Sequence, residues 1–236
     1  MTRLMAILTL VLTLAFALAP LWSDFAGFAA SELPNGVEDP PVQPAGYAFA
    51  IWGVIYLWLI ASAIYGVIFA RTDAAWHRAR WPLAVSLAIG VPWLWIAAQS
   101  PLWATVTIWA MLVFALVALG RTPTSDRRWF RGPVALYAGW LTAASFVSLG
   151  VLLGGYEVIL GNYGWAFPAI LGALVLSTLV YWRTPCPVYL SAVIWALVGI
   201  CAANWMETFL VTATALAGIA VLVCVMAIRS PDEYAD

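Results

Sequence analysis

The stretch LWATVTIWAMLVFALVALG, residues 102–120, followed at once by RTPTSDRRWFR, residues 121–131, decides the fold of this chain. The first segment carries no charge over a length within the roughly 17 to 25 residues that a helix needs to cross a hydrocarbon core of about 30 Å. It lacks the alternation of a barrel strand, and in lipid only a helix satisfies every backbone amide within its own segment. The second segment places Arg121, Arg127, Arg128 and Arg131 directly at the end of that helix.

Outward from this pair, the same pattern repeats. Apolar runs of spanning length cover 4–28, 46–70, 81–98, 102–120, 133–154, 163–182, 187–204 and 207–228. All ten basic residues are arginines, and they alternate with the spans. Arg3 precedes the first span, Arg71, Arg78 and Arg80 follow the second, Arg183 follows the sixth and Arg229 follows the eighth. The remaining connections have none, so the positive-inside rule puts the arginine side and both termini in the cytoplasm and the 29–45 loop outside. Acids count little in that rule; Asp24, Glu32, Glu38, Asp39, Glu157 and Glu207 fall outside, and Asp73, Asp126, Asp232, Glu233 and Asp236 inside. The start of the first span also fits a cleaved signal peptide, with small residues at Ala17 and Ala19. Pro20, and an apolar run that continues through Trp22 and Phe25 to Phe28, argue for retention.

The expected fold class is therefore all-α, a polytopic transmembrane bundle of eight spans. Composition agrees: 65% hydrophobic and 9% charged residues, with a mean hydropathy of +0.96, lie far from the roughly 45–50% apolar share of soluble domains. A net charge of −1 and no long basic run give no basis for nucleic-acid binding. The absence of lysine removes Schiff-base chemistry. Cys186, Cys201 and Cys224 show no metal or redox spacing, and His77, the single histidine, has no cysteine or carboxylate cluster around it.

Short connections at Gln99-Ser100-Pro101 and Asn204-Trp205-Met206 make spans 3 and 4, and spans 7 and 8, antiparallel neighbours. The outer 29–45 loop, with Pro34, Pro40, Pro41 and Pro44, is expected as a turn-rich cover over the outer mouth. Gly46-Tyr47-Ala48-Phe49 and Gly164-Trp165-Ala166-Phe167 form a faint internal echo, four spans apart.

Fifteen tryptophans exceed what interfacial belts absorb. Trp22, Trp103, Trp165 and Trp205 suit the outer interface, and Trp76, Trp81, Trp129 and Trp182 the inner one. Trp52, Trp58, Trp93, Trp95, Trp109, Trp140 and Trp195 lie deeper, where an indole fills a gap, faces lipid or contacts something bound. Phe49, Trp52 and Tyr56 recur at i, i+3 and i+7, and Tyr137, Trp140, Ala144 and Ser148 form a second stripe. Two aromatic faces with small residues beside them describe a slot for a flat apolar molecule.

These segments resemble the TspO/MBR family, the tryptophan-rich sensory or translocator proteins. The resemblance rests on Pro44-Ala45-Gly46-Tyr47-Ala48-Phe49-Ala50-Ile51-Trp52 through Tyr56, on Ser100-Pro101-Leu102-Trp103, and on Tyr137-Ala138-Gly139-Trp140 with Ala144 and Phe146. It covers residues 1–155, read as a five-helix membrane domain, with residues 156–236 as a three-helix extension. Tyr47 stands for the family's tryptophan, and Ile96, Gln99 and Ser148 replace its polar and indole positions. The resemblance implies a membrane receptor, sensor or carrier of a tetrapyrrole such as a porphyrin or haem, bound by Tyr47, Phe49, Trp52, Tyr56, Gln99, Trp140 and Ala144. The expected setting is the lipid bilayer of a bacterial inner membrane.

Three other readings stay open. An uncoupled permease for an apolar solute fits the span count, since no acid or base lies deep in a span to serve as an ion relay. Enzymatic chemistry would have only Glu207 beside Asn204 as a polar pair. A subunit role, including a homodimer, would use Gly150-x-x-x-Gly154 as a packing face.

Overall fold

The computed structural model describes residues 2–23, 28 and 30–229. Asp24, Phe25, Asp232, Glu233 and Asp236 lie outside the described residues. No strand occurs among those described, and nine α-helices follow in order. They are α1 Thr2–Leu18, α2 Ile51–Ile68, α3 Ala74–Gly90, α4 Trp93–Ala97, α5 Pro101–Arg121, α6 Gly132–Gly155, α7 Asn162–Arg183, α8 Pro187–Asn204 and α9 Phe209–Ile228. Short 3₁₀ turns at Ala19–Trp22 and Gly46–Ala50 extend α1 and precede α2, and a π turn at Arg127–Arg131 leads into α6.

Among the described residues, seven helical segments are long and apolar enough to cross a membrane. The expected span over 81–98 is not among them, because the helix there is broken. α3 stops at Gly90, and α4 is a separate piece of 5 residues. Pro92 explains the break: it has no N–H to donate and its ring clashes with the carbonyl four residues back. α3 also begins earlier than the expected 71–80 loop allows. Asp73 caps it, accepting from the Ala75 N–H at 2.7 Å and the Trp76 N–H at 3.1 Å. The two pieces still run antiparallel to α5 along its length. Trp81 meets Phe114, Ser86 donates to the Met111 carbonyl at 2.8 Å, and Trp93 Nε1 donates to the Ala104 carbonyl at 3.0 Å.

α6 is the central post: nineteen of its 24 residues are buried. α5, α7 and α8 pack on it, α1 lies on α2 and α3, and α9 closes over α7 and α8. Glycine makes the closest of these contacts possible, since a Cβ on Gly139 would fall 2.2 Å from the Tyr189 carbonyl oxygen of α8. Gly150 and Gly154 are spent in the same way within the chain. Their Cβ positions face Ala169 at 3.0 Å and Asn162 at 2.8 Å.

Two of the arginines expected in inner loops, Arg80 and Arg131, are buried. Arg80 lies inside α3 and is 2% exposed, with Nη2 donating to the carbonyls of Gly66 at 2.8 Å and Ala70 at 3.0 Å. It thereby satisfies carbonyls at the C-terminal end of α2, where the helix dipole favours a cation. Arg131, also buried, donates to the Thr122 hydroxyl at 3.2 Å. Trp76 is likewise no interfacial anchor. It is buried, stacks on Phe130 at 4.0 Å and donates Nε1 to Asp126 at 2.9 Å, tying α3 to the π turn.

The proline-rich loop folds onto the ends of α6, α7 and α8. Asn35 N–H donates to the Gly155 carbonyl at 2.9 Å, and Asn162 Nδ2 to the Asn35 carbonyl at 2.8 Å. Ala45 N–H donates to the Gly199 carbonyl at 3.0 Å, Trp195 Nε1 to the Ala48 carbonyl at 2.8 Å and Asn204 Nδ2 to the Pro41 carbonyl at 2.8 Å. Val42 is buried beneath this lattice. The internal echo does not extend to conformation, since Gly46–Ala50 is a 3₁₀ turn and residues 164–167 lie within α7.

Candidate functional site

Trp52 and Tyr56 are one helical turn apart on α2, so their rings lie on one face and stack at 5.4 Å with an interplanar angle of 20°. Phe16 of α1 meets this pair edge-on, 5.8 Å from Trp52 and 5.3 Å from Tyr56, and reaches Tyr137 of α6 at 5.8 Å. Trp140 stands opposite. Its ring is edge-on to Trp52 at 6.2 Å and to Phe49 at 5.9 Å. Such edge and offset contacts are the favoured geometry of aromatic quadrupoles.

These rings surround a cavity of about 430 Å³, within the range of small-molecule sites. α1 contributes Phe16, α5 contributes Ile108 and Met111, and α6 contributes Trp140, Leu141 and Ala144. The broken helix supplies Gly90, Trp93 and Leu94. Apart from the indoles of Trp52, Trp93 and Trp140, the polar side chains of the described lining are Ser23, Gln43 and Tyr56, and no described lining residue is charged. Trp140 is 2% exposed, and its indole N–H has no hydrogen-bond partner among the described residues. A buried donor left unmade is costly, and this one is closed in by protein atoms, so Trp140 offers the cavity its ring and not its N–H. Tyr137 is fixed behind the wall, its hydroxyl 2.9 Å from that of Ser86.

Of the seven residues singled out from the sequence, Phe49, Trp52, Tyr56, Trp140 and Ala144 line this cavity. Tyr47 and Gln99 are not among its lining residues. Tyr47 is half exposed and packs edge-on against Trp195 at 5.8 Å. Gln99 sits exposed in the turn between α4 and α5. The polar group that does line the cavity is Gln43, from the proline-rich loop, and the aromatic ring overlooked is Phe16. A signal for Phe16 was present: Ala6, Thr9, Thr13 and Phe16 are the buried residues of α1 and recur at helical spacing. Gln43 had none beyond being an uncharged polar residue amid prolines.

Asn204 holds the loop through Pro41 and accepts a hydrogen bond from Thr208, so its side chain is engaged in structure. Glu207 is exposed at the adjoining turn. His77 lies near the start of α3 and is not part of the cavity wall.

Comparison with known proteins gives one family. The family described as TSPO-like protein matches residues 3–228, and the matched stretch runs through α7, α8 and α9 as well as the first six helices. Searches of curated proteins and of solved structures returned no match. The chain belongs to the TSPO-like protein family.

Proposed function

We propose that this TSPO-like membrane protein is a receptor or carrier for a flat, uncharged hydrophobic ligand of the tetrapyrrole class. The observation that carries the reading is the cavity of about 430 Å³ walled by the stacked Trp52–Tyr56 pair on one side and Trp140 on the other. A planar ring entering it gains contact with several aromatic faces. His77 does not reach the wall, so an axial ligand to a haem iron there would have to come from Tyr56 or Met111.

The proposed topology has eight crossings, with α3 and α4 together making one of them. α5 has 21 residues, about 32 Å at 1.5 Å per residue, and the broken pair is paired along that length. Both termini then lie on the arginine-rich cytoplasmic side, and the cavity opens beneath the outer loop.

The test is titration of the purified protein with metal-free porphyrins while following tryptophan fluorescence. Saturable quenching is expected, with Trp140→Ala weakening it about tenfold or more. Absence of saturable quenching across porphyrins, haem and sterols would remove the reading. Gradient-free uptake of the same ligand into liposomes separates a carrier from a receptor.

A further inference from the structure

A second space of about 80 Å³ adjoins the aromatic cavity. Six residues bound both: Gln43, Phe49, Trp93, Ile108, Trp140 and Ala144. Beyond them the smaller chamber continues along α6 past Ser148 and Val151, and Ala196 of α8 closes its far side. Trp140, Ala144, Ser148 and Val151 follow at i, i+4, i+8 and i+11, so a single stripe of α6 leads from one space into the other.

The chamber is apolar in effect. Ser148 is its hydroxyl group, and that hydroxyl lies 2.7 Å from Thr105 Oγ1. Thr105 already donates to the Pro101 carbonyl at 2.8 Å, so Ser148 is the donor in the pair and its proton is used. The volume is several times the roughly 10–15 Å³ that one water requires, yet the walls offer water almost nothing to bond, and apolar cavities of this kind stay dry. An aliphatic group placed there gains the dispersion contacts that the void forgoes.

We propose that this side chamber is a subsite for an aliphatic arm carried by the ring that occupies the main cavity. The ligand class is thereby narrowed to an uncharged planar ring bearing a short alkyl or isoprenoid substituent, for example a ring carboxyl masked as an alkyl ester. The proposal rests on the reading of the main cavity as a flat-ring site. The arm leaves one apolar medium, lipid or detergent, for another, so area burial contributes little and the gain comes from filling the void. It corresponds to about tenfold in Kd.

The experiment uses the full chain in nanodiscs and a series of metal-free porphyrin esters, from methyl to hexyl, titrated by tryptophan quenching. In the native protein the Kd is expected to fall about tenfold along the series. Ala196→Leu, which fills the chamber from α8, is expected to abolish that dependence while leaving the methyl ester within about twofold. Ala196→Val is the milder second variant and should reduce the dependence by half or more. A native Kd independent of chain length, or variants that weaken short and long esters equally, overturns the subsite and leaves the main cavity standing. No quenching by any ester overturns both.

Discussion

The proline-rich loop and the turn after it supply Gln43, Gly46 and Phe49 to the cavity, yet the groups that hold them come largely from the last three helices. Trp195→Phe together with Asn204→Leu tests that dependence. The first change deletes the indole N–H bonded to the Ala48 carbonyl and keeps a ring against Tyr47. The Ala48 carbonyl retains the Ile51 N–H as a partner, so the cost is one bond and no orphan acceptor. The second removes the donor to the Pro41 carbonyl. A net hydrogen bond contributes about 1 kcal/mol in general and about 0.6 kcal/mol on average between membrane helices. The pair therefore lowers the free energy of local loop opening by about 1–2 kcal/mol, which is roughly 5- to 30-fold in the open population. Hydrogen exchange of peptides covering residues 41–48 should accelerate by that factor, while peptides from α2 and α5 keep their native rates. Ligand affinity should fall in parallel, because the loop brings part of the wall. Unchanged exchange at 41–48, or uniform acceleration across all helices, would refute the claim that these two side chains act as local anchors.

Gly139→Ala puts a methyl group 2.2 Å from the backbone oxygen of Tyr189, which only separation of α6 from α8 relieves. A loss of about 3 kcal/mol in detergent unfolding is expected, whereas Gly53→Ala, with nothing within 4 Å, should be neutral or gain up to about 1 kcal/mol. Arg80→Met keeps the stem but leaves the Gly66 and Ala70 carbonyls without this donor. A loss of about 2 kcal/mol is expected, and unchanged or higher stability would show that burying the charge costs more than the two bonds contribute. For topology, single cysteines at Ser100 and Arg127 in a background lacking Cys186, Cys201 and Cys224 should react with an impermeant maleimide from opposite faces of the membrane. Labelling from the same face would eliminate the crossing assigned to α3 and α4.

Much of the architecture was legible because lipid leaves few options. Uncharged runs bounded by arginine must be helices, and the antiparallel pairs α3–α5 and α8–α9 follow from connections too short for anything else. What escaped depended on partners distant in sequence. Arg80 reads as one more loop arginine until the end of α2, with the Gly66 and Ala70 carbonyls it bonds, is placed beside it. Tyr47 illustrates a different loss. Residues two apart in any helix point to opposite sides, so Tyr47 could not share the wall of Phe49, and the 3₁₀ turn aims it at Trp195. Phe49 and Trp52 stay aligned because a spacing of three nearly eclipses side chains in that geometry. Ser148 was correctly placed on the stripe of Trp140, but that it opens a second space depends on Ala196, which comes from another helix.

The break at Val91-Pro92 has a structural consequence that links these features. A continuous helix across 74–97 would run past the cavity as a flat wall. The interruption instead lets α4 restart with Trp93 donating to the Ala104 carbonyl, so that Trp93 and Leu94 join the lining. Gly90, at the end of α3, allows Phe16 and Met111 to close in, since a Cβ there would lie 2.6 Å from the Phe16 ring and 2.9 Å from the Met111 methyl. The same glycine lets Phe16 sit edge-on to Trp52 and Tyr56 and hold the stacked pair in place. Backbone left without helical partners is tolerated at membrane depth only where protein surrounds it or it lines a cavity. The discontinuity that Pro92 makes in the third apolar run thus borders the cavity, whose described lining is uncharged and consists mostly of rings, aliphatic side chains and small residues.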